Sequence, residues 1–545
     1  VRNLLFVMAD QLRWDAIGCA NGDLPFATPN IDDLAARGVR FDRAYTQGAT
    51  CGSSRMSFYT GRYVTSHGAR YNEIPLNLTE ATLADHLRPL GVESYLIGKT
   101  HSVLDPFGAA ALGLDPTGAT AQIRADAGFK RVVRYDGVAA ANSPDSGQTA
   151  YDDFLRSNGY DIANPWHDIA NSGRRNDGSS ASGWTMESGL WPAIVPDELS
   201  ETAWTTDLAI DFMRDKGAAP WCLHLSYIKP HWPYVVSEPY HQLVDQSDLP
   251  VAKRSAHEVG GHPAMTAFQA MRISRNFSDD AKRAGVHCAY FGLIAQLDHH
   301  LGRLWGELER LGRSNDTMIV FTSDHGDYMG DHWMGEKDYL HDSAIRVPLI
   351  VVDPSAGADS TRGSAVNVPT ECIDVLPTFV EAVGGEPDAS LGGGWIEGQS
   401  LVPFLTGVGK RTGSDQVAVS ETDYGFREMR DALPELEAPL LRARSITTER
   451  WKYIEHDLFG PQLFDLDNDP DELIDLGQHS GYAAVRSDLT DGLHQWRNSL
   501  KLDPRTPAHR FARPGLGAVA ARGFPIGFWD EAEIQTAKDA RDLLR

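Results

Sequence analysis

Residues 3–10 read NLLFVMAD and residues 317–324 read TMIVFTSD. Each is a short, mostly apolar run that closes on an aspartate. A strand inside a parallel sheet is covered on both faces, so it reads as a continuous apolar run and not as an alternation. Asn3–Ala9 and Thr317–Thr322 are therefore predicted to be central strands. Asp10 and Asp324 then fall at or just past their carboxyl ends, where the loops of an open α/β sheet build a site.

Working outward, similar runs recur at Glu93–Ile97 and Trp221–Tyr227, preceded by helical sequence at Thr82–Arg88 and Trp204–Lys216. TPNIDDLAARGV, residues 28–39, predicts a helix capped by Asn30 and stopped at Gly38. A long helical stretch from about Asp280 to Leu311 leads into the strand at Thr317. Helices alternating with apolar strands predict an α/β fold with a large, mostly parallel sheet sandwiched by helices. Residues 107–183 are rich in Gly, Ser, Asn and Asp and weakly periodic, so a loop-rich insertion walling the site is expected there. After about Gly407, short strand-like pieces at Gln416–Ser420 and Trp451–Glu455 predict a smaller α+β unit. The expected division is a catalytic domain over 1–410 and a C-terminal subdomain over 411–545. Its extended tail docks either on a neighbouring subunit or on its own chain.

The chain's 545 residues exceed one typical domain. A net charge of −25 argues against nucleic acid and anionic membrane as partners. No run approaches the ~18 apolar residues of a membrane span. The opening VRNLLFVMADQ has neither a basic leader nor a small-residue cleavage site. It reads as a first strand, and a cytoplasmic protein is expected. Cys19, Cys51, Cys222, Cys288 and Cys372 form neither a disulfide framework nor a zinc spacing.

The chemistry-bearing residues follow the predicted strands. Lys99 and His101, in GKTH, come after the strand at Glu93, and Asp324 and His325, in TSDHGD, after the strand at Thr317. Cys51 opens a helix in TCGSSRMSFYTG, residues 50–61, with Arg55 one turn behind it. Asp10, Asp324 and His325 suit a divalent cation, because two carboxylates supply charge and hard oxygens and the imidazole a borderline ligand. Singly, a strand-end aspartate is more often a turn former; the joint placement points to a metal, Ca²⁺ or Mn²⁺. A helix N-terminus and Arg55 both favour an anionic atom at residue 51. Asp298-His299-His300, in mid-helix, reads as a polar face.

Several stretches then fall into one order: NLLFVMADQLR, TPNIDDLAARGVRFDRAYT, CGSSRMSFYTGRY, LIGKTH, KPHWPY, VFTSDHGDYMGDH, and WKYIEHD with QLFDLDNDPDEL. On these the chain resembles the sulfatases of the alkaline phosphatase superfamily, in the branch of arylsulfatases, choline sulfatases and phosphonate monoester hydrolases. In that family the cysteine of C-x-P-x-R or C-x-A-x-R is oxidised to formylglycine. Cys51 and Arg55 match those positions, with Ser53 in place of Pro or Ala. The resemblance implies a metal shell of Asp10, Gln11, residue 51, Asp324 and His325. Gln11 stands where many arylsulfatases carry a second aspartate, either as a carbonyl ligand or just behind the shell.

The resemblance further implies that Lys99, His231 and Lys337 bind substrate oxygens and that His231 or Lys337 protonates the leaving oxygen. His101 would be the base that triggers collapse of the intermediate, and Asn72, in RYNE, would lie near the substrate. The implied cofactors are one divalent metal ion, Ca²⁺ or Mn²⁺, and formylglycine derived from Cys51. The implied partners are a small-molecule ester and the formylglycine-generating enzyme, in a homodimer or homotetramer. The activity these features imply is hydrolysis of sulfate monoesters through a covalent sulfo-enzyme intermediate, favoured by the Lys and His of GKTH. Phosphonate monoester or phosphate diester hydrolysis is the alternative, favoured by overall length, Gln11 and the tail; promiscuity between the two is expected. The remaining alternative is a catalytically silent binding protein on this fold.

Overall fold

The computed structural model describes residues 1–137, 146–217, 219–387, 396–408, 417–426, 433, 435–437, 440–500 and 527–542. Eight strands form the central sheet: β1 (Asn3–Asp10), β2 (Val39–Phe41), β3 (Glu93–Gly98), β4 (Lys130–Arg134), β5 (Trp221–Pro230), β6 (Thr317–Ser323), β7 (Leu349–Val352) and β8 (Ser364–Val366). Their order is β8-β2-β7-β6-β1-β5-β3-β4. Only β7 runs against the others. β1 lies between β5 and β6, with Leu4 through Ala9 fully buried. Because side chains alternate across a sheet, β1 feeds two cores. Leu5, Val7 and Ala9 pack in the core that contains Leu293 and Leu297, and Leu4, Phe6 and Met8 in the core that contains Phe58, Tyr59 and Phe379.

The helices that position the site are α1 (Pro29–Arg37), α2 (Cys51–Thr60), α3 (Leu83–Leu87), α4 (Ala150–Ser157), α5 (Glu201–Asp215) and α6 (Asp280–Arg310). α3 lies within the helical stretch expected at Thr82–Arg88 and starts at a capping box of Thr82 and Asp85. α1 corrects the reading of Asn30. The N-cap position is Thr28, whose side chain makes no cap bond, and Pro29 occupies the first turn. The cap comes instead from α6: Asp298 accepts the N–H groups of Asn30, at 3.0 Å, and Ile31, at 2.8 Å. The stretch is a polar face as expected, with His299 exposed and Asp298 and His300 buried against partners from other elements. His300 pairs with Asp197 at 3.0 Å. Replacing Asp298 by Ala is expected to cost about 1–2 kcal/mol, the usual worth of a lost helix cap, as measured by urea unfolding.

Residues 107–183 hold more regular structure than their composition implies. They supply the edge strand β4, the helix α4 and a hairpin of Ser172–Arg174 with Ser180–Ser182. Tyr135, Tyr151, Trp166, Trp184 and Trp204 form a separate core there, which explains how such polar sequence stays folded. Residues 138–145 of this segment lie outside the described residues.

The C-terminal sheet is antiparallel, ordered β9 (Ala418–Asp423), β10 (Arg442–Thr447), β11 (Trp451–His456) and β12 (Gln462–Asp465). It joins the catalytic part through Glu421, whose N–H donates to Gln47 O at 2.9 Å and whose carbonyl accepts Ala49 N–H at 3.3 Å. This braces the loop that delivers Cys51. The boundary expected at 410/411, the start of the Gln416 strand and most of the tail lie outside the described residues. Residues 527–542 pack on their own chain: Phe528 O accepts the N–H of Met186 at 3.0 Å, and Arg272 lies 3.1 Å over the Phe528 ring. Among the described residues, no helix is long and apolar enough to cross a membrane.

Candidate active site

α2 is buried along its whole length, although its sequence is mostly small and polar. Such a helix is stable only if its hydroxyls are satisfied. Ser54 donates to Asp324 O at 2.5 Å, Ser57 bonds His67 at 2.9 Å and Thr60 returns to Met56 O at 2.7 Å. Ser53 bonds Thr50, with 2.8 Å between their hydroxyl oxygens, so it is part of the helix start. Gly52 N–H donates to Asn72 Oδ1 at 2.8 Å, and a Cβ on Gly52 would come within 2.9 Å of Asn72 Cα. Asn72 therefore sits beside residue 51 and holds the helix N-terminus, where the dipole favours a negative atom.

The first turn of α2 brings Cys51 against the ends of β1 and β6. One ligand atom from each of Asp10, Cys51, Asp324 and His325 lies within 4.8 Å of the others, and all four residues are buried. Cys51 Sγ is 3.0 Å from His325 Nε2 and 3.8 Å from Asp10 Oδ1. His325 Nδ1 faces the carbonyl of Gly326 at 2.8 Å, which puts the proton on Nδ1 and leaves Nε2 as the ligand atom. Each carboxylate is divided between two tasks. Oδ2 of Asp10 and Oδ2 of Asp324 take the Arg55 guanidinium at 3.0 and 2.8 Å, and their Oδ1 atoms face the cluster. Arg55 spends its remaining bonds on Lys99 O and Ser226 Oγ, at 3.0 and 2.8 Å. It makes no hydrogen bond to residue 51 and supports that residue by its charge and through the two aspartates. Burial opposes the charge on His325, but Asp324 and Cys51 raise its pKa to about 9, so the ring must give up its Nε2 proton to ligate. Two carboxylates and the imidazole so freed fit a hard or borderline divalent cation.

Cationic and polar groups surround the same point. Lys99 Nζ reaches Asp10 Oδ2 at 2.5 Å, and Lys337 Nζ donates to Gln11 Oε1 at 2.9 Å. His231 Nε2 stands 4.0 Å from Asp10 Oδ1, and its Nδ1 faces Trp232 O at 3.0 Å. Burial pushes the Cys51 thiol up, but Lys337, Lys99 and His325 outweigh it and, with a hydrogen bond from His101, hold it well below its ordinary value. Burial and Cys51 likewise push Asp10 up, and Lys99, His231 and Arg55 bring it well down. Burial opposes the charge on Lys99, which Asp10 and Cys51 more than restore. For His231, burial and the charge of Lys337 press toward the neutral ring.

The structure thus brings together every site residue expected from the sequence. Gln11 stands just behind the cluster: its carbonyl holds Lys337, and its Nε2 donates to Asp327 and Tyr234. Sequence reasoning misses four supporting residues. Ser226 and Tyr234 give no signal, being one hydroxyl in an apolar strand and one ring beside a Pro. Asp136 accepts the N–H groups of Thr100 and His101 at 2.8 and 3.0 Å, fixing a turn in which His101 has a φ of 55°. Asp327 lies inside the TSDHGD motif and is legible there as a third acid.

Residues 2–385 match the family model described as Sulfatase, and residues 330–499 that described as N-sulphoglucosamine sulphohydrolase, C-terminal. The chain is 30% identical over 534 residues to the multifunctional alkaline phosphatase superfamily protein PehA of Trinickia caryophylli, covering 94% of this chain and 98% of that one. It is 27% identical over 499 residues to an arylsulfatase of Clostridium perfringens, covering 87% and 90%. The phosphonate monoester hydrolase SpPMH from Silicibacter pomeroyi shares the fold with a TM-score of 0.79 at 26% identity, covering 92% of this chain and 96% of that one. With the family model spanning most of the chain and a strand-end cluster built around Cys51, this protein belongs to the sulfatase family, within the alkaline phosphatase superfamily.

Proposed function

We propose that the protein hydrolyses sulfate monoesters, using formylglycine made from Cys51 and one divalent metal ion held by Asp10, Asp324, His325 and residue 51. The observation that carries this reading is the ring of Lys99, His101, His231 and Lys337 around residue 51, of which Lys99, His231 and Lys337 are buried and His101 half-buried. Fixed cations in a water-poor site stabilise charge that builds on the oxygens of a transferred group. The metal, when bound, supplies Lewis-acid neutralisation of that group. As an aldehyde hydrate, residue 51 supplies one oxygen to attack sulfur and a second to expel the bound ester; the Cys51 Sγ stands where those oxygens would be.

The chain's own groups divide the remaining work. Lys99 and Lys337 bind the non-bridging oxygens, and His101 accepts the proton of the second hydrate oxygen, a task suited to imidazole near neutral pH. His231 has its ring proton on Nδ1, committed to Trp232 O, so it donates from Nε2 only as imidazolium. Lys337, with further N–H groups free of Gln11, is the better placed donor to the leaving oxygen. Asn72 holds the start of α2 and with it the aim of residue 51.

Phosphonate monoester or phosphate diester hydrolysis is the second reading. It is favoured by Gln11 and by the likeness to the phosphonate monoester hydrolase SpPMH over nearly the whole chain. Steady-state rates with matched aryl sulfate and aryl phosphonate esters decide between them. We expect the sulfate to have the higher kcat/KM, with measurable turnover of both. A preference for the phosphonate by several orders of magnitude would overturn the first reading.

A further inference from the structure

We propose that Asp327 is the positioning residue that sets Lys337 against residue 51, acting through both of its carboxylate oxygens. The inference rests on the reading of Lys337 as a substrate-binding and leaving-group residue. Lys337 is delivered by an irregular loop with left-handed backbone at Met329, His332, Trp333, Glu336 and Asp338, with φ values of 47°, 54°, 63°, 61° and 89°. Non-glycine residues in that region are strained and persist only where contacts over-determine them. Asp327 Oδ1 supplies such contacts, accepting the N–H groups of Met329 at 2.8 Å and Glu336 at 3.1 Å. It thereby pins the loop two residues past its start and one residue before Lys337.

Oδ2 acts on the far end of the same lysine. It accepts the Tyr234 hydroxyl at 2.6 Å and Gln11 Nε2. Gln11 Nε2 also donates to the Tyr234 oxygen at 2.8 Å. With both amide hydrogens committed, Oε1 of Gln11 can only point the other way, where it accepts Lys337 Nζ at 2.9 Å. Asp327, Gln11 and Tyr234 are all buried, so no solvent substitutes for a lost partner. One carboxylate therefore fixes the backbone of Lys337 with one oxygen and, through the polarity of a single amide, its ammonium with the other.

An acid–amide exchange tests this. In Asp327→Asn the new amide nitrogen faces the Gln11 and Tyr234 donors, so Gln11 must turn and present its NH₂ to Lys337. We expect kcat/KM to fall about 100-fold, the scale of a catalytic group displaced by about an ångström. The loss should grow with the pKa of the leaving alcohol, as it should in Lys337→Ala. Gln11→Glu alone sets two carboxylates together and is also expected to lose activity. Combining the two gives a carboxylate at 11 that accepts from both the amide at 327 and Lys337, and should recover about tenfold or more over either single variant at matched metal content. A double variant no better than the singles, or an Asp327→Asn loss equal for all leaving groups, would overturn the proposal. If Asp327→Asn alone does not fold, Gln11→Glu against the double variant decides the same question. Should the wild-type protein turn over neither sulfate nor phosphonate esters, the functional reading fails separately. The same ordering of variants is then expected in calorimetric affinity for inorganic sulfate, and its absence there overturns the positioning role.

Discussion

Cys51→Ala is expected to lower kcat/KM by at least about 10⁵-fold, the scale on which enzymes with a covalent nucleophile fail when that group is removed. The fold should tolerate the change. Cys51 is small, and its negative charge is repelled by Asp10 but attracted by Lys337, Lys99 and His325. Deleting it removes a repulsion and attractions together, so unfolding free energy should fall by no more than about 2 kcal/mol. The companion measurement is mass spectrometry of the peptide around residue 51. We expect the mass of an aldehyde in place of the thiol. A fully active wild-type protein that carries only the thiol would overturn the formylglycine reading. Plain cysteine in an inactive protein would instead favour the silent binding protein.

Arg55→Met should produce the largest loss of stability. The guanidinium is fully buried between Asp10 and Asp324, with both of those carboxylates equally buried. Breaking a buried pair on one side leaves charge without compensation, at a cost of about 3–5 kcal/mol. Here one cation serves two acids, so the upper end is expected for the metal-free protein. The pH dependence has a definite sign. Asp10 is held below its ordinary value of 3.8 by Lys99, His231 and Arg55, against burial and Cys51. A depressed acid contributes stability above its unfolded pKa and loses it as pH falls toward the folded one. Without Arg55 that contribution shrinks, so the deficit of the variant is greatest at neutral pH and narrows in acid. The narrowing falls below the unfolded value of 3.8, so urea unfolding at pH 7 and at about pH 2 reads both. Arg55→Lys should recover little, since a lysine cannot span two carboxylates as the planar fork does. A variant as stable as wild type at pH 7 in metal-free buffer would show that Arg55 is not the group that holds the acids together.

How much of this is legible in the sequence follows from the kind of information each feature carries. The strands at Asn3, Glu93, Trp221 and Thr317 announce themselves because burial on both faces demands unbroken apolar runs. Their polar ends are readable for the same reason, since an acid or lysine closing such a run cannot be core. Local sequence misplaces the cap of α1 because the cap comes from Asp298, far away in the chain, and the neighbourhood offers only Thr28 and Asn30. The elements within residues 107–183 give little sign of themselves because Tyr135, Trp166 and Trp204 meet only in three dimensions.

The layer architecture, the family resemblance and the residue types clustered at Asp10, Cys51, Asp324 and His325 are readable along the unfolded chain. These depend on residue type, period and order along the chain. How the cluster is held is visible only in three dimensions: Arg55 hydrogen-bonds the two aspartates and not residue 51, Gln11 turns its carbonyl to Lys337, and Asp136 and Asp327 brace the two loops carrying His101 and Lys337. Hydrogen bonds such as Glu336 to Asp327, nine residues apart, or Lys337 to Gln11, 326 apart, leave no periodic trace, because their partners are chosen by direction and distance after the chain has folded.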